Sequence, residues 1–254
     1  MRTIAIMNNK GGVGKTVTAI NLGDILAADF GQRVVLADCD GQANLTRFFL
    51  PEDEADTPTT ADILTGGGGS VWSDNLVTIR TGLRLLPGSS GLYDLDLRAI
   101  RDGLSAPERL RDFAECARDD GDTDWMIFDC PPGYTVASVA ALLAADTVVI
   151  PVLADKFSLD GAAAVAEQAN RLAGVRPRLR VRALLTQTRG TEVVTAAATM
   201  LTQMRLPVYR TAIRRTDKVP ESTMTLLPLR QYSPGSAAAR DYRAWARELM
   251  EEGI

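Results

Sequence analysis

Residues 9–16 read NKGGVGKT, preceded by a short apolar run at 3–8 (TIAIMN) and followed by 17–30, where Ala19, Ile20, Leu22, Ile25, Leu26 and Ala27 recur at helical spacing. Strand, glycine loop and helix in this order make a phosphate-binding loop. The pattern G-x-x-x-x-G-K-[ST] surrounds a phosphate with backbone N–H groups, sets a lysine against its oxygens and leaves a hydroxyl for Mg²⁺. Gly14, Lys15 and Thr16 fill its last three positions, while Asn9 stands where the pattern has its first glycine. The helix N-terminus adds the positive end of its dipole and unsatisfied N–H donors. What the pattern does not require is a second lysine, Lys10. The chain has only four lysines against 24 arginines, and two of the four sit in this loop. Lysine has been kept where a compact point charge suits a phosphate oxygen.

The length of 254 residues and the 46% apolar content allow a large core. The sequence contains no histidine, so a Ser-His-Asp triad and imidazole acid–base chemistry are excluded. Cys39, Cys116 and Cys130 lack metal-ligand spacing, and their odd number suggests free thiols in a reducing compartment. No apolar run reaches the length of a membrane span, and residue 1 onward lacks signal-peptide character. A cytoplasmic protein without membrane attachment is therefore expected. The net charge of −4 conceals an asymmetry: residues 1–170 balance to −12 and residues 171–254 to +8. A basic region of this kind suits a nucleic-acid surface, although arginines spread along solvated helices would give the same count.

Apolar runs alternate with helical patterns along most of the chain. Strands are expected at 3–8, 33–38, 83–87, 125–129, 147–152, 181–186 and 208–213, and helices at 15–30, 106–119, 137–145, 160–172, 192–203 and 236–251. This alternation predicts an α/β fold, a mostly parallel twisted sheet with helices on both faces, formed by residues 1–254 as one domain. Residues 51–82 are acidic and then glycine-rich, and read as a surface excursion with one short helix at 60–64. Ligands of open parallel sheets collect beyond the carboxyl ends of the strands. Two further loops there carry carboxylates: Asp38-Cys39-Asp40-Gly41-Gln42 and Asp129-Cys130-Pro131-Pro132. Carboxylates converging on a phosphate loop point to Mg²⁺, since without a cation they would repel the phosphates.

Together these segments resemble the ParA/MinD group of deviant Walker A ATPases, and more closely its ParA-type partition ATPases. KGGVGKT matches the group's K-G-G-x-G-K-[ST] signature, VVLADCDGQANLT is similar to its D-x-D-x-Q motif, and WMIFDCPPGY to its Asp-Cys-Pro-Pro element. TVVIPVLADKFSLDGAAAV, VYRTAIRRTDKVPES and SPGSAAARDYRAWARELMEE also resemble the corresponding ParA stretches. The resemblance implies a P-loop NTPase fold of the deviant Walker A type that binds ATP and Mg²⁺. It implies that Lys10, Gly11, Gly12, Val13, Gly14, Lys15, Thr16 and Val17 form the nucleotide loop, with Thr16, Asp38 and Asp129 at the metal and Asp40 orienting the attacking water. Lys10 would reach across a homodimer interface to phosphates held by the other subunit. Val17 replaces a threonine common in relatives, DGQAN replaces DPQGN, and Arg214 replaces a frequent proline in the loop facing the base, leaving Arg214 and Thr216 as adenine-contact candidates. The chain is similar to the short ParA form, which lacks an N-terminal helix-turn-helix.

The function so implied is an ATP-dependent dimerising switch for DNA segregation. Its ATP-bound dimer would bind nonspecific DNA through Arg189, Arg215 and Lys218, associate with the nucleoid, and hydrolyse ATP slowly under stimulation by a ParB-like partner. A MinD-like membrane-associated positioning ATPase would need a basic amphipathic tail, whereas ARELMEEGI ends in acid. An iron–sulfur carrier would need paired cysteine ligands. A metabolic ligase can use the same loop, and its mark would be turnover of a small substrate. A ParA-like positioner of a protein cargo would share every motif quoted above.

Overall fold

The computed structural model describes residues 1–51, 57–103, 106–171 and 178–252. Its centre is a seven-stranded sheet made of β1 (Arg2–Ile6), β2 (Val34–Asp38), β3 (Val77–Arg80), β4 (Leu83–Leu86), β5 (Trp125–Asp129), β6 (Thr147–Leu153) and β7 (Arg180–Thr186), in the order β3-β4-β2-β5-β1-β6-β7. All neighbours are parallel except β3 and β4, which form an antiparallel edge. A mostly parallel sheet must be covered on both faces, and its strands read accordingly as continuous apolar runs. In β1, Ile4 and Ile6 face a core shared with α1 (Lys15–Asp29) and α11 (Ala237–Glu251), while Ala5, and Met7 just past the strand, face the core beneath the helices of the opposite layer. Each fully buried side chain of this kind, Leu36 or Ile127 for example, stabilises the fold by about 1.5–3 kcal/mol.

That opposite layer holds α3 (Thr60–Thr65), α4 (Gly91–Asp102), α5 (Glu108–Asp120), α6 (Val136–Ala144), α7 (Lys156–Arg171) and α8 (Thr191–Gln203). The expected helices 106–119, 137–145, 192–203 and 236–251 lie within two residues of observed ones. The helix expected at 160–172 begins four residues earlier, at Lys156, and residue 172 lies outside the described residues. Three differences have physical causes. The 208–213 segment is not a strand: it meets β7 through an isolated bridge, Ala183 to Val208, and its ladder is broken between Tyr209 and Ile213, whose N–H groups donate to Ala183 O and Leu185 O, because the N–H groups of Arg210 and Thr211 turn to the Glu248 carboxylate. The 51–82 stretch contributes α3, a 3₁₀ turn at Trp72–Asn75 and β3, and buries Ile63, Leu64 and Trp72, with Trp72 edge-on to Phe113. Its apolar residues are too sparse to show a period, yet each of these three is placed inward; residues 52–56 lie outside the described residues. Finally, the helices α2 (Asn44–Phe49), α9 (Lys218–Met224) and α10 (Leu229–Tyr232) are too short to show a period, and α4 buries only Leu92 and Leu95 while Leu97 and Ile100 stay exposed.

The second-strand loop shows why this chain has DGQAN there. A Cβ on Gly41 would lie 2.7 Å from the Tyr93 ring, whose hydroxyl accepts a hydrogen bond from Gln42 Nε2 at 2.8 Å. Gly41 thus allows Tyr93 to clamp the loop that carries Asp40. The chain then enters α2 through Ala43 at φ 51°, a left-handed conformation that costs a non-glycine residue about 1 kcal/mol. Ala43→Gly is expected to stabilise the protein by about 0.5–1 kcal/mol, read as a higher midpoint in urea with unchanged slope. No gain in midpoint would show that the loop does not hold this strain in solution.

Candidate functional site

Loops from four strand ends meet at the carboxyl edge of the sheet. Gly12 and Gly14, at φ 74° and 91°, bend the first loop through conformations that other residues rarely adopt, and Val13 between them is fully buried. The loop opens directly into α1, whose N-cap is Gly14. Lys15 is buried in the first turn of this helix and its Nζ donates to Lys10 O at 3.1 Å, curling under the loop. Burial lowers its pKa, and the nearby charges of Asp129 and Asp40 work in the opposite direction.

β2 and β5 are neighbours in parallel register, with Asp38 opposite Asp129, so two carboxylates end adjacent strands side by side. Both are buried. Asp38 is held on both oxygens: Oδ1 accepts from Asp40 N–H at 3.1 Å, and Oδ2 accepts from Thr46 N–H at 2.8 Å and Thr46 Oγ1 at 2.7 Å. Burial still pushes its pKa up to about 6 against these bonds. Asp129 has neither oxygen in a hydrogen bond, and burial first, then the charge of Asp38, raise its pKa well above the ordinary carboxylate range. Thr16 and Lys15 are the groups that oppose this rise. An orphaned, buried carboxylate beside a Walker threonine and lysine fits a divalent cation, for which oxygen donors of this kind are the natural ligands. Thr16, Asp129 and, directly or through water, Asp38 would hold Mg²⁺ there.

Asp40 is half-buried at the mouth of the same site, where its Oδ1 caps Gln42 N–H at 2.9 Å. Lys10 turns away from the loop. Its Nζ donates to Asp155 Oδ1 and Oδ2 at 3.1 and 3.2 Å and to Ser158 Oγ at 2.9 Å, at the start of α7. Burial works against the charge of Asp155, but bonds from Ser158 and then Lys10 outweigh it and hold its pKa below the usual value. The sequence signal for this partner is an Asp-x-x-Ser cap ahead of α7.

Beside the loop lies a cavity of about 360 Å³ bounded by Gly12, Val17, Gln187, Arg214, Thr216 and Tyr242, among others. Both adenine-contact candidates therefore border it. The guanidinium of Arg214 is already engaged by Asp241, at 2.9 and 2.6 Å, and Thr216 Oγ1 accepts from Lys218 N–H at 3.3 Å. Val17 contributes an apolar wall. Of the three candidate DNA contacts, Arg189 and Arg215 are exposed on adjoining loops joined by Arg215 N–H to Thr188 O at 3.1 Å. Lys218 is instead paired with Glu221 at 2.6 Å within its own helix. Gln187, Asp241, Tyr242, Asp155 and Ser158 are not among the residues expected from sequence.

A glycine loop opening into a helix, a buried lysine and two strand-end aspartates on a mostly parallel sheet define a P-loop nucleotide-binding ATPase fold. The model of the AAA_31 family, described as an AAA domain, matches residues 1–181. The chromosome partitioning protein ParA of Caulobacter vibrioides is 32% identical over 98% of this chain and 94% of its own length, and the chromosome-partitioning ATPase Soj of Thermus thermophilus is 34% identical over 98% and 96%. Among solved structures, cobyrinic acid a,c-diamide synthase from Mycobacterium smegmatis with bound ATP analogue and magnesium superposes with a TM-score of 0.80 at 30% identity, covering 99% of this chain and 95% of that one. Apo McdA from Cyanothece gives 0.83 at 21% identity over 98% and 99%, a likeness of fold. The chain belongs to the ParA/MinD family of deviant Walker A ATPases, in its ParA-type partition branch.

Because the carboxyls of Asp38 and Asp129 are raised in the folded state, the stability they contribute is present below 3.8 and lost as pH climbs, through about 6 for Asp38 and higher for Asp129. Asp129→Asn should flatten that loss and raise the nucleotide-free melting temperature at about pH 7.5, while abolishing the further rise produced by Mg²⁺ with ADP. Thermal melts at about pH 5 and about pH 7.5, with and without Mg-ADP, check both; a full Mg-ADP shift in the variant would remove Asp129 from the metal site.

Proposed function

We propose that the protein is an ATP-driven switch for DNA partition. With Mg²⁺ and ATP two copies pair, the pair binds DNA without sequence preference, and a ParB-like partner stimulates slow hydrolysis and release. The observation that carries this reading is the direction of Lys10: Lys15 donates to the chain's own phosphate loop, whereas Lys10 points away from that loop and is held 3.1 Å from Asp155. In the proposed site the N–H groups of Gly11, Gly12 and Gly14 and the Lys15 ammonium hold the phosphates. Bound Mg²⁺ supplies charge neutralisation on the transferred phosphoryl group. Asp40 orients the attacking water, and Lys10 of the partner subunit supplies the positive charge that an arginine finger supplies elsewhere. Positioning of this kind, completed only in a pair, suits slow turnover.

Arg189 and Arg215 support the DNA reading because, among the described residues, neither has an acidic partner, while Arg182, Arg210, Arg214, Lys218, Arg230 and Arg243 are all ion-paired. No helix among the described residues is long and apolar enough to cross a membrane. The partition assignments of the two sequence relatives favour a DNA cargo, and nucleoid association in the ATP state follows from it.

With ATP, the Asp40→Ala protein should sediment as a dimer and bind random-sequence duplex in a salt-sensitive way; absence of both would refute the switch. Arg189→Ala with Arg215→Ala should weaken that binding by about tenfold or more and reduce the slope of log K against log salt by about 2, one contact each. Lys10→Ala should leave Mg-ADP binding by the single chain intact and remove hydrolysis stimulated by DNA. A variant that still responds to DNA normally would overturn the role given to Lys10.

A further inference from the structure

Two loops that the proposed switch must connect, the phosphate loop and the arginine-bearing surface, are joined in the structure by one short segment. It begins at the end of β7, where Thr186 Oγ1 donates to Val13 O at 2.8 Å. The next residue, Gln187, sends Nε2 to Gly12 O, also at 2.8 Å, so both peptide carbonyls at the crown of the phosphate loop are gripped from β7. Gln187 does this from φ 51°, a left-handed conformation that non-glycine residues seldom occupy and that tends to gather at switch regions. One residue on, Thr188 enters a ladder with the loop on the far side of the cavity: its N–H donates to Ile213 O at 3.0 Å, and Arg215 N–H donates back to Thr188 O at 3.1 Å. Arg189 follows immediately. Between the Gly12 peptide and the two exposed arginines there stand, therefore, one side chain and one left-handed backbone turn.

We infer that Gln187 is the positioning residue that couples occupancy of the phosphate loop to the Arg189–Arg215 surface. Its amide N–H₂ reports where the Gly12 carbonyl stands, and its backbone sets the angle at which Thr188 clamps the two arginine loops. The side chain borders the nucleoside cavity but binds a carbonyl of the protein, so its action on DNA is indirect. The inference rests on the DNA-binding reading above.

Two variants separate the side-chain bond from the backbone strain. Gln187→Glu keeps size and left-handed backbone but has no N–H to donate and sets a carboxylate against the Gly12 carbonyl. Gln187→Gly removes the side chain and relieves the strain. For wild type and both variants, the affinity for a fluorescent random duplex is measured with ATP and with ADP at fixed salt, together with the affinity for a fluorescent ATP analogue and the melting temperature. With each nucleotide at saturation, the ratio of DNA affinities in the two nucleotide states is expected to fall by about tenfold or more in Gln187→Glu and in Gln187→Gly, a loss in the usual range of inter-site coupling and larger than any loss of affinity for the analogue. A merely structural role would lower the melting temperature without moving that ratio. Wild-type ratios in both variants, or parallel loss of nucleotide and DNA binding, would overturn the inference. Should wild type itself bind DNA equally with ATP and ADP, the switch reading fails first, and the two failures are told apart by the wild-type measurement alone.

Discussion

Two carboxyl groups placed side by side beneath a glycine loop are the constraint around which this protein is arranged. The parallel register of β2 and β5 sets Asp38 against Asp129, and burial denies both the water that would otherwise solvate them. The chain compensates one of them itself. Asp38 receives three hydrogen bonds, and Gly88 permits the close approach, since a Cβ there would lie 2.8 Å from the Asp38 carboxyl carbon. Asp129 has only Thr16 and Lys15 to offset its burial, so on the proposed metal role the fold and the metal–nucleotide complex would be thermodynamically linked. Whatever neutralises Asp129 also stabilises the end of β5 and the helix that carries Lys15 and Thr16.

Internal compensation also governs the basic part of the chain. Its charge balance suggested a broad electropositive surface, but many of its arginines are paired within the fold. Arg230 and Arg80 meet on the fully buried Asp24, tying α10 and β3 to the middle of α1, and Arg243 reaches Asp29 at the end of that helix. These contacts fix the C-terminal helices to the phosphate-loop helix. A regional sum of charges cannot distinguish such cations from solvent-facing ones, which is why Lys218 looks equivalent to Arg189 and Arg215 in sequence.

What could be read from the sequence was whatever is local. The nucleotide loop, the strand-end aspartates and the two-sided sheet are written in contiguous stretches of a few residues, with periods and glycines in fixed places. The Lys10–Asp155 contact joins residues 145 positions apart and could not be read from either end. The same holds for Gln187 and Gly12, and for Tyr93, whose ring explains Gly41 although it lies on a separate helix, α4. Residues 208–213 misled in the other direction. Their apolar pattern is that of a strand, but they touch β7 only at their two ends, and Ile213 lines the far wall of the cavity beside the phosphate loop.

A lysine already satisfied by its own chain has a consequence for kinetics. The Lys10–Asp155 pair is exposed at 36% and 40%, and pairs of this kind are worth roughly 0.2–1 kcal/mol, small enough to yield and large enough to be the resting state. On the dimer reading, an isolated subunit carries its own inhibitor, and hydrolysis becomes second order in protein. Turnover would then respond to local crowding of the protein along its track more steeply than to ATP supply.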